Sequence, residues 1–212
     1  MGKKTSDRYV VFGSLYRHCY IRKITTTTIS ITDNHIERIN MKIMLILIGI
    51  IVSGIAIDQA TKLLVDGLME LHQSIAVIPN VFSLTYIRNK GAAFGMLSEH
   101  RWVFMIISTI AIVAMCVYLF RFCKEKMLFK VGLALVISGG IGNMIDRVLY
   151  GYVIDMIEAT FIEKLFGVSF AVFNVADSLV CVGAGLVIFC LIREIILDQG
   201  KNKKEGKSNG NR

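Results

Sequence analysis

Long apolar blocks dominate the pattern of hydrophobic and polar positions along the chain. The four blocks are Ile43–Ile57 (extended by Met41 and toward Leu64), Trp102–Phe120, Met127–Ile145 and Ala171–Ile192. About 20 helical residues, rising 1.5 Å each, cross a hydrocarbon core roughly 30 Å thick. The pattern therefore predicts an all-α membrane protein with four transmembrane helices.

The segments between these blocks predict two smaller elements. Val81–Ile87 is rich in β-forming residues and follows a Pro79-Asn80 turn, which predicts a short extracytoplasmic β element. Between the third and fourth blocks, Phe161–Phe170 places apolar residues beside Glu163 and Lys164. That arrangement predicts an interfacial helix lying along the membrane surface.

Basic residues predict the orientation of the four helices. Lys and Arg cluster before the first block, in Arg121–Lys130 and after Arg193. Because short cytoplasmic loops carry an excess of Lys and Arg, both termini are predicted to be cytoplasmic. The predicted organisation is a cytoplasmic extension over residues 1–40, a membrane domain over 41–197 and a flexible basic tail over 198–212.

Composition supports the membrane assignment and excludes other classes. The chain is 54% hydrophobic and 19% charged, more apolar and less charged than a typical soluble domain. The net charge of +8 is not arranged as a basic stripe with interleaved aromatic residues, so nucleic-acid binding is not predicted. The cysteines form no CxxC pair, and no metal site or cofactor is predicted.

Polar side chains at one end of three apolar blocks are the candidate functional groups. A charge deep in a bilayer costs roughly 2.5–3.5 kcal/mol, so such residues usually face a partner or a water-filled cavity. With the predicted topology, all of them lie at the depth of the outer leaflet. They are Asp58 and Lys62 in the first helix, Asn143, Asp146 and Arg147 in the third, and Asn174 and Asp177 in the fourth.

Structural roles remain open for several of these residues. Asp146 and Arg147 could form a buried pair beside a glycine packing seam, and Asp58 and Lys62, at i and i+4, a structural ion pair. Asn89 and Gly91 could belong to a turn alone. No histidine lies in a membrane block, which leaves paired-carboxylate chemistry or ion translocation as the functional alternatives.

The motifs as a set resemble those of the lipoprotein signal peptidases (signal peptidase II), aspartyl peptidases of the bacterial inner membrane. The resemblance covers Met41 to Ile192 and keeps the order of five family elements. These are Asp58–Lys62 (DQATK), Asn89–Gly95 (NKGAAFG), Gly139–Arg147 (GGIGNMIDR), Val153–Asp155 (VID) and Phe173–Asp177 (FNVAD).

The resemblance implies an intramembrane aspartyl endopeptidase without a cofactor or metal. It would remove signal peptides from diacylglyceryl-modified prolipoproteins, cutting just before the lipidated cysteine, and would be sensitive to globomycin. It implies Asp155 and Asp177 as the catalytic pair. The supporting or substrate-binding residues would be Asp58, Lys62, Asn89, Gly91, Asn143, Asp146, Arg147 and Asn174. Membrane lipid is the other expected partner, and a monomer is expected.

Two further hypotheses come from other classes of protein. Intramembrane aspartates are also typical of a small proton-coupled transporter. Against a transporter stand the lack of an internal repeat and the clustering of the carboxylates near one side. An assembly factor held by its glycine seams would explain the glycines but not the carboxylates.

Overall fold

The structure is a computed structural model that describes residues 39–90, 101–168 and 170–209 of the 212-residue chain. Contacts divide the chain into two compact units, Met1–Ile46 and Leu47–Arg212. In the first unit, the described residues form the beginning of the first helix. The remaining described elements lie in the second unit.

Four of the described helices are long and apolar enough to cross a membrane. This finding confirms the four spans that the hydrophobic pattern predicts. In chain order, the helices are α1 (Ile39–Leu68), α2 (Arg101–Val117, continued by a π-helical turn over Tyr118–Phe122), α3 (Met127–Leu149), the short α4 (Thr160–Phe166) and α5 (Val175–Asn209).

A three-stranded antiparallel sheet lies outside the four long helices. Its strands are β1 (Ser74–Ile78), β2 (Phe82–Asn89) and β3 (Val153–Glu158), in the order β1-β2-β3. Asn80, at a φ of 66°, forms the turn between β1 and β2. The sheet confirms the predicted β element and adds β3, a strand that the sequence analysis does not predict.

Three glycines of α3 each allow a different neighbour to approach closely. A Cβ added at Gly139 would overlap the carbonyl oxygen of Ala176 in α5. At Gly142 it would lie 2.6 Å from a carboxylate oxygen of Asp58 in α1. At Gly140 it would lie 3.2 Å from Ile112 in α2. The predicted glycine seam is therefore three separate contacts that set the position of α3.

Two helices differ in length from the apolar blocks that predict them. Helix α1 continues beyond Ile57 to Leu68, because its first polar side chains are buried against other helices and do not end it. Helix α5 continues to Asn209, although its membrane-compatible part ends at Gln199. Since adding residues to an existing helix costs little, a stretch rich in Lys and Glu can extend it.

Candidate active site

A lysine ammonium shared by two carboxylates joins α1 to α3. Nζ of Lys62 lies 2.8 Å from Oδ2 of Asp58 and 3.0 Å from Oδ2 of Asp146. The three side chains are at most 2% exposed. Burying charges costs several kcal/mol per ion unless pairing and hydrogen bonds offset the loss of water. The predicted Asp58–Lys62 ion pair is present, and it is part of a larger buried cluster.

Backbone amides also donate to both carboxylates of this cluster. The amide of Ala176, in the first turn of α5, donates to Oδ1 of Asp58 at 2.9 Å. The amide of Ile154 in β3 donates to Oδ2 of Asp146 at 3.1 Å. The two carboxylates therefore hold the start of α5 and the middle of β3 against α1 and α3. Both of the tethered segments carry candidate catalytic residues.

Gln59 is a member of the cluster that the sequence analysis does not select. Its Nε2 donates to Oδ1 of Asp146 at 2.9 Å, to the carbonyl oxygen of Gly142 at 3.1 Å and to Oδ2 of Asp58 at 3.2 Å. The only sequence signal for this residue is its place inside the Asp58–Lys62 element. That Gln59 links the two carboxylates becomes evident only when α1 and α3 are packed together.

Asp146 pairs with a cation on another helix, a partner that the sequence analysis does not select. Successive residues of a helix point roughly 100° apart, so Asp146 faces Lys62 while Arg147 points to a different side. Nη1 of Arg147 donates to the carbonyl oxygen of Asn143 at 3.2 Å. Lys62 therefore supplies a positive charge beside Asp146 that the sequence analysis does not predict.

Asn174 and Asp177 form a reciprocal cap at the start of α5. The backbone amide of Asp177 donates to Oδ1 of Asn174 at 2.9 Å, and the amide of Asn174 donates to Oδ2 of Asp177 at 3.2 Å. This is the capping-box arrangement, with Asn and Asp in place of the usual Ser or Thr and Glu. The cap fixes the Asp177 carboxylate at the positive end of the helix dipole.

Asn143 connects the lysine cluster to Asp177. Its Oδ1 accepts hydrogen bonds from Nζ of Lys62 and Nδ2 of Asn174, each at 2.9 Å. Its Nδ2 donates to Oδ1 of Asp177 at 2.7 Å. Because the donors from Lys62 and Asn174 both bind Oδ1, the orientation of the Asn143 amide is determined. Asp177 consequently receives a donor from a side chain that the buried ion cluster holds in place.

Asp155 lies on β3 and accepts hydrogen bonds from two side-chain amides. Nδ2 of Asn174 donates to its Oδ1 at 2.7 Å, and Nδ2 of Asn89 in β2 donates to its Oδ2 at 2.9 Å. Its carboxylate is buried, with the residue 3% exposed. Asn174 is also hydrogen-bonded to Asp177 in the cap, so both aspartates contact the same asparagine. The structure thus brings them together from a strand and a helix.

The environment of Asp155 raises the pKa of its carboxyl from 3.8 to about 6. Burial is the main cause, because it disfavours the charged form. The hydrogen bond from Asn89 lowers the pKa, while the negative charge of Asp177 raises it further. The bond from Asn174 and the positive charge of Lys62 also lower it. A carboxyl with this pKa can hold or release a proton close to neutral pH.

Comparisons with known proteins identify the family of this chain. A sequence model described as Signal peptidase (SPase) II matches residues 50–193. The chain belongs to the signal peptidase II family. It is 43% identical over 151 residues to the lipoprotein signal peptidase of Halalkalibacterium halodurans, covering 71% of this chain and 92% of that protein. To the lipoprotein signal peptidase of Bacillus subtilis it is 42% identical, with 71% and 93% covered.

A solved structure supports the same family assignment. This bacterial membrane enzyme, determined at 2.3 Å resolution, matches with a TM-score of 0.64 and 35% identity. The match covers 70% of this chain and 88% of the other. The signal peptidase II family consists of aspartic peptidases, which confirms the predicted enzyme class. The four apolar helices and the small sheet confirm the predicted fold. The transporter hypothesis finds no support in the comparisons.

Nine of the ten predicted site residues lie in the described ranges, and the structure brings them into one continuous hydrogen-bonded site. Gly91 lies outside the described residues. The contacts divide the described members into two parts. One is the cluster of carboxylates around Lys62, and the other is the pair Asp155 and Asp177, whose carboxylates accept hydrogen bonds from side-chain amides.

Proposed function

We propose that this signal peptidase II removes signal peptides from diacylglyceryl-modified prolipoproteins, cleaving just before the lipidated cysteine, with Asp155 and Asp177 as the catalytic pair. The observation that carries the proposal is the meeting of these two carboxyl groups at Asn174. The names of the relatives and the match of the family model support the substrate class.

The proposed reaction uses one proton shared by the pair. Two neighbouring carboxyl groups do not readily both ionise, and burial raises the pKa of Asp155, which favours this carboxyl as the member that keeps the proton. Asp177, which accepts a hydrogen bond from the backbone at the start of α5, acts as the base. It takes a proton from a water molecule, whose oxygen attacks the scissile carbonyl carbon while the Asp155 carboxyl donates a hydrogen bond to the carbonyl oxygen.

Breakdown of the tetrahedral intermediate completes the cycle. The carbon–nitrogen bond breaks, and the leaving amine of the lipidated cysteine takes the proton that came from water. The products are the carboxylate of the signal peptide and the free amino group of the lipoprotein. Three side-chain amides keep the two carboxyl groups oriented throughout. Asn89 and Asn174 donate to Asp155, and Asn143 donates to Asp177.

A groove between α2 and α3 supports the lateral entry of lipid. The cavity has a volume of about 370 Å³, and the described residues that line it are apolar, such as Ile112, Met144 and Val148, apart from the hydroxyl-bearing Thr109. Met144 lies next to Asn143 in the chain. Withdrawing acyl chains from the bilayer would cost roughly 0.8 kcal/mol per CH₂, so the substrate must enter from the side.

Cleavage of a purified lipidated precursor tests the proposed function. The wild-type enzyme in detergent is expected to cut a diacylglyceryl-modified prolipoprotein and to leave the unmodified precursor intact. Globomycin is expected to block the reaction. Mass spectrometry of the product identifies the bond that is cut. Equal cleavage of both precursors, or cleavage elsewhere in the chain, would contradict the proposal.

The proposed location is the bacterial cytoplasmic membrane, with both termini in the cytoplasm and the site at the outer leaflet. We expect reporter fusions at Glu70 and Glu163 to report the outer side and a fusion at Lys124 to report the cytoplasm, because the basic Arg121–Lys130 loop favours the inner side. Alkaline phosphatase fusions measure this directly. An active fusion at Lys124 would reverse the arrangement.

The pH dependence of kcat/KM is expected to report the carboxyl pair. As pH rises through the pKa of Asp155, about 6, both members become ionised and no acid remains to donate, so kcat/KM falls. In Asn89→Ala, the hydrogen bond that lowers this pKa is lost, and the alkaline limb moves to higher pH. The other charges facing Asp155 are those of Asp177, Lys62 and Arg147.

Profiles of kcat/KM from pH 4 to 9 check this expectation. Gln199→Ala is the control, because Gln199 is an exposed amide side chain at the end of the membrane-compatible part of α5. Its profile should match that of the wild type. An alkaline limb in Asn89→Ala that moves to lower pH would contradict the assigned direction.

A further inference from the structure

A second polar cluster lies outside the carboxylate site and joins α1 to β2. The hydroxyl of Tyr86 donates to the carboxylate of Asp66 and accepts a hydrogen bond from Nε of Arg88 at 2.7 Å. Nη2 of Arg88 donates to the same oxygen of Asp66 at 3.1 Å. The three side chains therefore form a closed ring of hydrogen bonds. The ring of Tyr86 is buried, with the residue 1% exposed.

This cluster fixes β2 at a defined position on α1. Asp66 is one helical turn beyond Lys62, so it belongs to the same rigid helix as the buried ion cluster. The backbone of Tyr86 is also tied to the segment that follows α1, by bonds with Gln73 at 3.0 Å and His72 at 2.9 Å. Both backbone and side-chain bonds of Tyr86 thus set the position of the strand.

The same tyrosine also supports β3. Its ring packs in one apolar core with Val65 of α1 and with Ile154 and Met156 of β3. These two β3 residues flank Asp155 in the chain. Arg88 extends the contact, because its guanidinium lies 5.0 Å from the ring centre of Tyr152, just before β3.

Both strands held in this way carry groups of the proposed active site. Asn89 lies three residues beyond Tyr86 on β2 and donates to Asp155, which is opposite Ile87 in the sheet. Asp177, in contrast, is positioned by α3 and α5. The geometry of the pair therefore depends on how the sheet is attached to the helices.

We propose that the Asp66–Tyr86–Arg88 cluster is a positioning site for the peptidase reaction, which places Asn89 and Asp155 against Asp177. The proposal rests on the proposed function. Displacing a reacting group by about 1 Å can cost about 10²-fold in rate, even when the altered residue is remote. The cluster acts through the strands and does not itself contact the carboxyl pair.

Tyr86→Phe tests the proposal, because it removes one hydroxyl and keeps the buried ring. We expect kcat to fall by about tenfold to 10²-fold, with KM changed by less than about twofold. We also expect the alkaline limb of the kcat/KM profile to move upward, as in Asn89→Ala, because the bond from Asn89 to Asp155 is loosened. Tyr150→Phe is the matched control, since Tyr150 stacks on Tyr152 without joining the cluster, and it should behave as wild type.

A pair of variants at Asp66 keeps the test independent of the folding of Tyr86→Phe. Asp66→Asn retains an acceptor oxygen for the donors from Tyr86 and Arg88, so it should keep most of the wild-type kcat. Asp66→Leu removes that oxygen, and its kcat should fall as much as that of Tyr86→Phe. All rates are referred to the folded fraction, measured by thermal unfolding in detergent. Wild-type kcat and pH profile in both Tyr86→Phe and Asp66→Leu would overturn the proposal.

The same assay separates this proposal from the proposed function. If the wild-type enzyme leaves the lipidated precursor intact, the proposed function fails and the positioning role fails with it. If the wild type cleaves but Tyr86→Phe and Asp66→Leu both differ from it only in folded fraction, the positioning role alone fails. If Asp66→Leu and Tyr86→Phe both lower kcat and shift the alkaline limb, the proposal is supported.

Discussion

Asp155→Asn and Asp177→Asn are each expected to abolish cleavage of a lipidated precursor while the protein still folds. Losing a required acid or base costs at least about 10²–10⁴-fold in rate. An asparagine fits either position, since it keeps one acceptor oxygen for the bonds from Asn174. Turnover of purified variants against one precursor is the measurement, and globomycin binding reports whether the site is still formed.

Asp58→Asn and Asp146→Asn are the matched comparison for this prediction. Both carboxylates belong to the cluster around Lys62, and their replacement is expected to lower activity mainly through stability. When rates are divided by the folded fraction, the Asp58 and Asp146 variants should recover much of their activity, whereas the Asp155 and Asp177 variants should remain inactive. Near-normal turnover in either Asp155→Asn or Asp177→Asn would refute the assignment of the catalytic pair.

Lys62→Met is expected to have the largest effect on stability. The substitution keeps an unbranched side chain of similar length but leaves Asp58 and Asp146 buried without the ammonium that lies within 3.0 Å of both. Breaking a buried ion pair by removing one partner costs about 3–5 kcal/mol. Unfolding in detergent, followed by circular dichroism against temperature or denaturant, measures the change.

Two further variants show whether unpaired charge is the cause. Lys124→Met removes an exposed lysine and should change stability by no more than about 0.5 kcal/mol. The triple variant Lys62→Met, Asp58→Asn and Asp146→Asn removes all three charges and should recover much of the lost stability. If the triple variant is as unstable as Lys62→Met alone, lost packing rather than unpaired charge is responsible.

The site shows why local sequence patterns predict some contacts and miss others. The Asn174–Asp177 cap could be predicted, because its partners are three residues apart and its geometry follows from the start of a helix. The ion pair between Asp146 and Lys62 could not be predicted in this way. Arg147 is adjacent in the chain, but Lys62 lies on another helix, and only helix packing brings Lys62 within 3.0 Å of Asp146.

Sequence by itself determined the four membrane spans, since the length of an apolar block is enough to set where a helix can cross a bilayer. It also determined the family, through five motifs in order. The pairing of Asp155 with Asp177 followed from that resemblance, because the two residues are 22 positions apart and no periodicity relates them.

Tertiary structure alone decided how the polar groups are shared. It placed Asp155 on a strand, gave Gln59 its acceptors on α1 and α3, and set three glycines of α3 against three different helices. It also formed the Asp66–Tyr86–Arg88 ring. The physical reason is that a buried polar group must find a partner wherever packing offers one, and that partner is often distant in the chain.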